Sequence, residues 1–190
     1  MGLEYYHPGV YQITVTVYNN RFDNMIDDFL LEPGLFTYKN IGPVRFNGLE
    51  IQGRWNVSRS WLASWGYNYV NNRIVKSQDL PEGEPVPNTQ PHMATVRLSH
   101  KHPGGRLSHA LKTKLIAPYQ ARPFDPELGR YVREEHAPQP VVDYDARLRL
   151  VGWLTLGIGV QNVLDYRDDE YGPFIGRTFY LELETALRGG

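Results

Sequence analysis

From Trp153 to Asp165 the chain reads Trp-Leu-Thr-Leu-Gly-Ile-Gly-Val-Gln-Asn-Val-Leu-Asp. Leu154, Leu156, Ile158 and Val160 fall on one face, and Thr155, Gly157, Gly159 and Gln161 on the other. A period of two is the signature of a β-strand and is incompatible with a helix. An acidic loop follows. Gly176-Arg177-Thr178-Phe179-Tyr180 then opens a last alternating run through Leu181 and Leu183. Two adjacent strands, each with one fully apolar face, demand something apolar to cover that face. What covers it decides the fold.

The same pattern extends back through the chain. Gly2 to His7 reads as a strand end closed by the turn Pro8-Gly9. Tyr11, Ile13, Val15 and Val17 alternate with Gln12, Thr14 and Thr16. A stretch holding Asp23, Asp27, Asp28, Pro33 and Gly34 reads as a long loop, followed by a strand over about Tyr38 to Trp55 in which Leu49, Ile51 and Trp55 oppose Glu50, Gln52 and Arg54. After a short turn, Trp61, Ala63, Trp65, Tyr67 and Tyr69 oppose Ser64, Gly66 and Asn68. A loop over about Asn71 to Thr89 leads to a strand with Ala94, Val96 and Leu98 on one side. Pro103-Gly104-Gly105 is a tight turn, and Leu107 to Ala117 alternates least cleanly. Beyond a long loop from about Pro118 to Pro140, Val142, Tyr144, Ala146, Leu148 and Leu150 oppose Asp143, Asp145, Arg147 and Arg149.

These runs predict an all-β fold, an antiparallel up-and-down meander of about nine strands. Its connections alternate short and long, as the periplasmic turns and extracellular loops of outer-membrane barrels do. A soluble sandwich mixes the two ends through Greek-key connections. Mean hydropathy is −0.47, and no apolar run approaches the roughly 18 residues of a membrane helix. A barrel strand needs only every second residue apolar, so neither fact excludes a membrane. Aromatics are abundant, with 13 Tyr and 4 Trp. Tyr11, Trp55, Trp61, Tyr67 and Tyr69 share the apolar face near strand ends, where interfacial girdles form. A net charge of −1 gives no reason to expect nucleic acid as partner. Without cysteine, no disulfide, thiolate metal site or catalytic thiol is available.

The closing hairpin, with Asn162-Val163-Leu164-Asp165 ending one strand and Gly176-Arg177-Thr178-Phe179-Tyr180-Leu181 opening the last, resembles that of TonB-dependent outer-membrane receptors. Asn40-Ile41-Gly42, Phe46-Asn47-Gly48-Leu49-Glu50, Ala63-Ser64-Trp65-Gly66-Tyr67-Asn68-Tyr69 and Pro87-Asn88-Thr89-Gln90-Pro91-His92 follow the family's order and spacing. The resemblance implies a barrel of about 22 strands with a plugged lumen, of which residues 1–190 would be roughly the last nine strands. It implies location in the bacterial outer membrane and, in the intact receptor, energy-coupled uptake of a ferric siderophore, haem, cobalamin or similar scarce nutrient. Outer-membrane lipid and the remainder of the barrel and plug would be its partners, with TonB reached through the receptor's N-terminal region. Neither a signal peptide nor the plug is recognisable in the sequence, so the chain alone is expected not to transport. Leu187 stands where family members place a terminal aromatic. A small passive or structural outer-membrane barrel and a soluble all-β binding module are the alternatives.

Sites with independent chemistry are few. Asp23, Asp27 and Asp28, then Glu134 and Glu135 beside His136, then Asp168, Asp169 and Glu170 are acidic clusters read as solvated loop charge. His100 and His102 could hold a metal but lack a third ligand nearby in sequence. Ser64, Ser99 and Ser108 have no Gly-x-Ser-x-Gly elbow and no phosphate loop exists, so no catalysis and no cofactor are expected. Asp143 and Asp145, which share a strand face with Arg147 and Arg149, read as lumen ion pairs. The candidate ligand-contact residues are Tyr119, Arg122, Phe124, Arg130, Tyr131 and Arg133 in the long loop. Their guanidinium groups would suit an anionic ferric chelate.

Overall fold

The computed structural model describes the whole chain except residues 33–34, 78–80, 87, 122–123, 126–127, 129, 169–172, 174 and 187–190, and gives the backbone alone for 28–32, 36, 124–125 and 130–131. Leu187, Asp169 and Glu170 therefore lie outside the described residues. The strands are β1 (Gly2–His7), β2 (Tyr11–Glu32), β3 (Leu35–Asn56), β4 (Trp61–Ile74), β5 (His92–Lys101), β6 (Leu107–Ile116), β7 (Tyr119–Ala121), β8 (Phe124–Asp125), β9 (Arg130–Tyr131), β10 (Glu134–His136), β11 (Gln139–Val151), β12 (Leu154–Gln161) and β13 (Thr178–Thr185). Nine of them form one antiparallel sheet in the order β1-β2-β3-β4-β5-β6-β11-β12-β13. That is the expected meander. The four short strands sit within the long loop between β6 and β11, as the small sheets β7–β10 and β8–β9.

Register carries the alternation across the sheet. Val15, Ile51 and Tyr67 are cross-strand partners, as are Thr16, Glu50 and Asn68 one residue further on. At the other end Ala146, Ile158 and Leu181 align, and so do Asp145, Gly159 and Tyr180. One face of the sheet is therefore apolar and the other polar along its whole width. On the polar face Arg97 reaches Asp145 at 3.5 Å and Arg147 reaches Glu182 at 3.2 Å. Asp145 and Arg147 thus pair with residues of other strands and not with each other, while Asp143 accepts from the Asn162 N–H. Glycines on both faces admit a neighbouring ring. A Cβ on Gly53 would overlap the Trp65 indole, and one on Gly159 the Tyr180 ring. Both rings lie flat on the strand beside them, shielding backbone that glycine leaves bare.

The apolar face has no cover. Ile158 is 49% exposed, Leu181 69% and Leu183 64%. The buried apolar residues are Ile41, Val44, Ile74, Val86, Ala110, Ile116, Tyr119 and Ala121, and all but Ala110 cluster at the long-loop end. A sandwich would bury the alternating Val, Ile and Leu row against a second sheet. Here that row forms an outer surface, which fits lipid and not a protein core. β1 and β13 are the two edges, so the chain is an open section of barrel wall.

One expected loop is strand. Residues 23 to 32 continue β2, which runs for 22 residues, as does β3. A tilted strand crosses a bilayer in roughly 9–11 residues, so about half of this hairpin stands beyond the membrane. Asp23, Asp27 and Asp28 are therefore strand positions, Asp27 opposite Lys39 and Asp28 opposite Tyr38. β6 also alternates more regularly than its sequence suggests. Leu107, His109, Leu111, Thr113 and Leu115 share the outer face with Leu148, Ala146, Tyr144 and Val142.

Candidate functional site

The long-loop end is where the chain builds local structure beyond the sheet. The described residues of loop 75–91 reach over the inner face. Val86 packs with Ile41, Val44 and Ile74, while the Asn72 side chain accepts from the Val86 N–H at 2.9 Å and donates to Thr89 Oγ1 at 2.7 Å. The amide satisfies loop backbone that would otherwise be buried without a partner. Arg133 joins this loop to the 117–138 loop through Glu84 Oε2 at 2.6 Å. That geometry is short and charge-assisted, but both side chains are more than a third exposed, so its net contribution is small.

Beneath the 117–138 loop lies a polar group drawn from three segments. Tyr119 stacks on His136, ring centroids 4.9 Å apart and 17° from parallel. His136 Nδ1 stands 3.7 Å from Asp168 Oδ2, and the buried Gln139 amide donates to the same oxygen at 3.1 Å. Burial pushes the Tyr119 phenol above its ordinary range, and the Asp168 carboxylate adds to the shift. The phenol stays neutral, and the group fastens the loop to the rim of the sheet.

The third loop carries the closing-hairpin motif. Asn162 adopts a left-handed conformation, φ 52°, as does Asp165 at 54°. Asn162 is 4% exposed. Its amide donates to the Tyr166 and Ile175 carbonyls at 2.6 and 3.3 Å and accepts from the Tyr166 N–H at 3.1 Å, while its own N–H donates to Asp143 Oδ1 at 2.9 Å. Asp165 Oδ1 accepts from the Arg177 N–H at 2.7 Å, and Arg177 Nε donates to the Val163 carbonyl at 3.0 Å. A Cβ on Gly176 would overlap the Arg167 and Asp165 side-chain ends, so any larger residue there would displace them. The residues Asn162, Asp165, Gly176 and Arg177 are a clamp that closes the loop onto strand ends.

The Arg177 N–H holds the Asp165 carboxyl below its usual range, against slight desolvation and with help from the Arg167 charge. A folded pKa below the unfolded one stabilises the clamp above the ordinary carboxylate range, about 3.9. That contribution is lost as pH falls through the folded value. The Arg177 amide resonance is therefore expected to hold its position down to about pH 4 and to move only below it. Titration at an ordinary aspartate pKa would show that the bond is not formed.

The sequence-predicted ligand residues are distributed unevenly. Tyr119 is 4% exposed, inside the loop base. The Arg133 side chain is 49% exposed at the rim. Phe124 and Tyr131 are cross-strand partners, with Asp125 and Arg130 beside them, so three candidates meet in one small hairpin. Arg122 lies outside the described residues. His136, Gln139 and Asp168 were not legible as a group, because they come from separate segments. His100 does not pair with His102 on a metal edge. Its Nδ1 meets His109 Nε2 at 3.1 Å and its ring lies against Trp61, centroids 4.3 Å apart. Among the described residues no cluster of three or more His, Asp or Glu could hold a metal ion, and no helix is long and apolar enough to cross a membrane.

The family model described as "TonB dependent receptor-like, beta-barrel" matches residues 1–163. Among solved structures, a copper transporter, OprC, superposes with a TM-score of 0.71 at 18% identity over 97% of this chain and 30% of its own. The FrpB iron transporter from Neisseria meningitidis gives 0.70 at 16%, over 97% and 30%. A mutant of the ferric enterobactin receptor PfeA from Pseudomonas aeruginosa gives 0.69 at 20%, again over 97% and 30%. At these identities the likeness is one of fold. The chain spans less than a third of the length of the structures it resembles. No curated protein sequence matches it.

Proposed function

The chain belongs to the TonB-dependent receptor-like β-barrel family, a wall of the bacterial outer membrane, and from that premise we propose that it serves energy-coupled uptake of a ferric siderophore or similar scarce nutrient. The carrying observation is the two-faced sheet. An uncovered apolar face and an ion-paired inner face, continuous over nine strands, suit a wall between lipid and a filled lumen. Its relatives are transporters and receptors and not enzymes.

On this reading the remaining wall and a plug complete the receptor, and TonB engages it through the receptor's N-terminal region. The 117–138 loop carries the ligand contacts, with Arg133 at its rim, Arg122, Phe124, Arg130 and Tyr131 as the further candidates, and Tyr119 supporting the loop from beneath. Arginine offers a forked donor to catecholate, hydroxamate or carboxylate oxygens around iron. The test is binding to the intact protein in detergent, read by intrinsic fluorescence. Probes are ferric enterobactin, ferrichrome, ferric pyoverdine, haem, cobalamin and Cu(II). One of these classes is expected to bind at micromolar concentration or below. Arg133→Gln is expected to weaken an anionic chelate about tenfold. Failure of every probe would overturn the uptake reading while leaving the barrel intact.

A further inference from the structure

The outer face changes chemistry in four successive rows across β2, β3 and β4. The first row is Val15, Ile51 and Tyr67, and the second Val17, Leu49 and Tyr69. The third is Asn19, Asn47 and Asn71, and the fourth Arg21, Arg45 and Arg73. The register is unbroken through all four, so these residues share one side of the sheet. The opposite side confirms the sense. Val44, Asn72 and Ile74, which alternate with Arg45 and Arg73, are buried under loop 75–91, whereas all three arginines are exposed. The arginines therefore look outward, away from the lumen and any ligand within it.

Three arginines directly opposite one another are a poor solution for a sheet by itself. Neighbouring strands stand roughly 5 Å apart, and like charges facing each other at that distance destabilise the pairing. Internal compensation is slight. Asp23 meets Arg21 at 3.0 Å, and Arg73 donates one N–H to the Gly83 carbonyl at 3.0 Å. Arg45, in the centre, has no hydrogen-bonding or ionic partner among the described residues. The row needs an anion from outside the chain. Directly below it lie amides, then an aromatic and aliphatic surface that meets acyl chains.

We propose that the Arg21–Arg45–Arg73 row is a docking site for a phosphate-bearing glycolipid of the outer leaflet. Its phosphates meet the guanidinium forks, the Asn19, Asn47 and Asn71 amides hydrogen-bond its sugar and acyl-linkage oxygens, and its chains lie on Val17, Leu49 and Tyr69. Arginine suits phosphate because its planar fork donates two parallel hydrogen bonds. The vertical order of the rows matches the order of phosphate, polar linkage and hydrocarbon in such a lipid. The proposal rests on the membrane placement of the sheet, not on which nutrient the receptor takes.

The test uses the intact protein in detergent, with binding followed by native mass spectrometry. The probes are bisphosphorylated lipid A, the same lipid enzymatically dephosphorylated, and inorganic phosphate as competitor. The wild type is expected to retain lipid A, to bind the dephosphorylated form at least about tenfold less, and to be insensitive to millimolar phosphate. The triple variant R21Q/R45Q/R73Q is expected to lose at least about tenfold in lipid A affinity. A control variant R54Q/R59Q/K101Q, at the short-turn end, should match the wild type. Equal retention by the triple variant, or equal loss in the control, overturns the proposal. So does displacement by free phosphate, which would mark an ion site and not a lipid site. Heat-modifiable migration of each variant reports the fold separately, so loss of the barrel is distinguishable from loss of the lipid. If the triple variant fails to fold, R45Q alone carries the test, with a reduced affinity supporting the site and an unchanged one refuting it.

Discussion

Ile51→Arg is expected to destabilise the membrane-inserted protein by about 2–4 kcal/mol. Ile51 sits on the uncovered face between Val15 and Tyr67. It lies midway between Trp55, next to the short turn, and Asn47, where the outer face turns polar. Eight residues at about 3.4 Å, inclined by about 40°, span about 21 Å, most of the roughly 25 Å of an outer-membrane apolar band. The charge would therefore lie near the midplane, where its desolvation is greatest. Gln52→Arg, one residue on, faces the lumen beside Thr14 and Gly66, and is expected to change stability by no more than about 0.5 kcal/mol. Urea unfolding in lipid vesicles measures both. Equal effects of the two variants would show that the Ile51 face does not meet an apolar medium.

Asn162→Ala is expected to open the last loop locally. The substitution removes a 2.6 Å donor bond, a 3.3 Å donor bond and a 3.1 Å acceptor bond at a residue only 4% exposed. It also forces alanine into a left-handed conformation, which costs about 1–2 kcal/mol. With each of the three lost bonds contributing about 1 kcal/mol, local stability should fall by about 4–5 kcal/mol in all. Amide exchange at Tyr166 should then accelerate at least about a hundredfold. Asn162→Gly restores the backbone freedom but not the bonds, and should fall between the two. Unchanged exchange in the alanine variant would show that the clamp is not what closes the loop.

The closing hairpin was legible because Leu154 to Val160 alternate without interruption, in regular register with β13 throughout and with β11 from Thr155 onward. The extension of β2 was not. Register shifts between Phe22 and Met25 and again between Met25 and Ile26 break the period of two, so Asp23 to Asp28 read as loop charge. A bulge changes which face a residue takes without leaving a composition signal. The clamp was half legible. Asn162, Asp165, Gly176 and Arg177 were noticed as a family feature, but their hydrogen bonds depend on two positive φ angles that no periodicity reveals. The Asn and Arg rows were invisible for another reason. Arg21, Arg45 and Arg73 are unremarkable in sequence, and only strand register sets them side by side.

The central claim is that the alternating apolar face meets lipid and the alternating polar face meets the lumen. The cysteine-free sequence permits a direct reading. Single cysteines placed at positions 49 to 54 of β3 in the intact protein, labelled with a nitroxide and reconstituted in lipid, report collision with oxygen and with a water-soluble nickel chelate. The account predicts a period of two. Oxygen accessibility should be high at 49, 51 and 53, and nickel accessibility high at 50, 52 and 54. High nickel accessibility at 49 and 51, or low accessibility to both reagents there, would place that face in water or in a protein core and contradict the barrel.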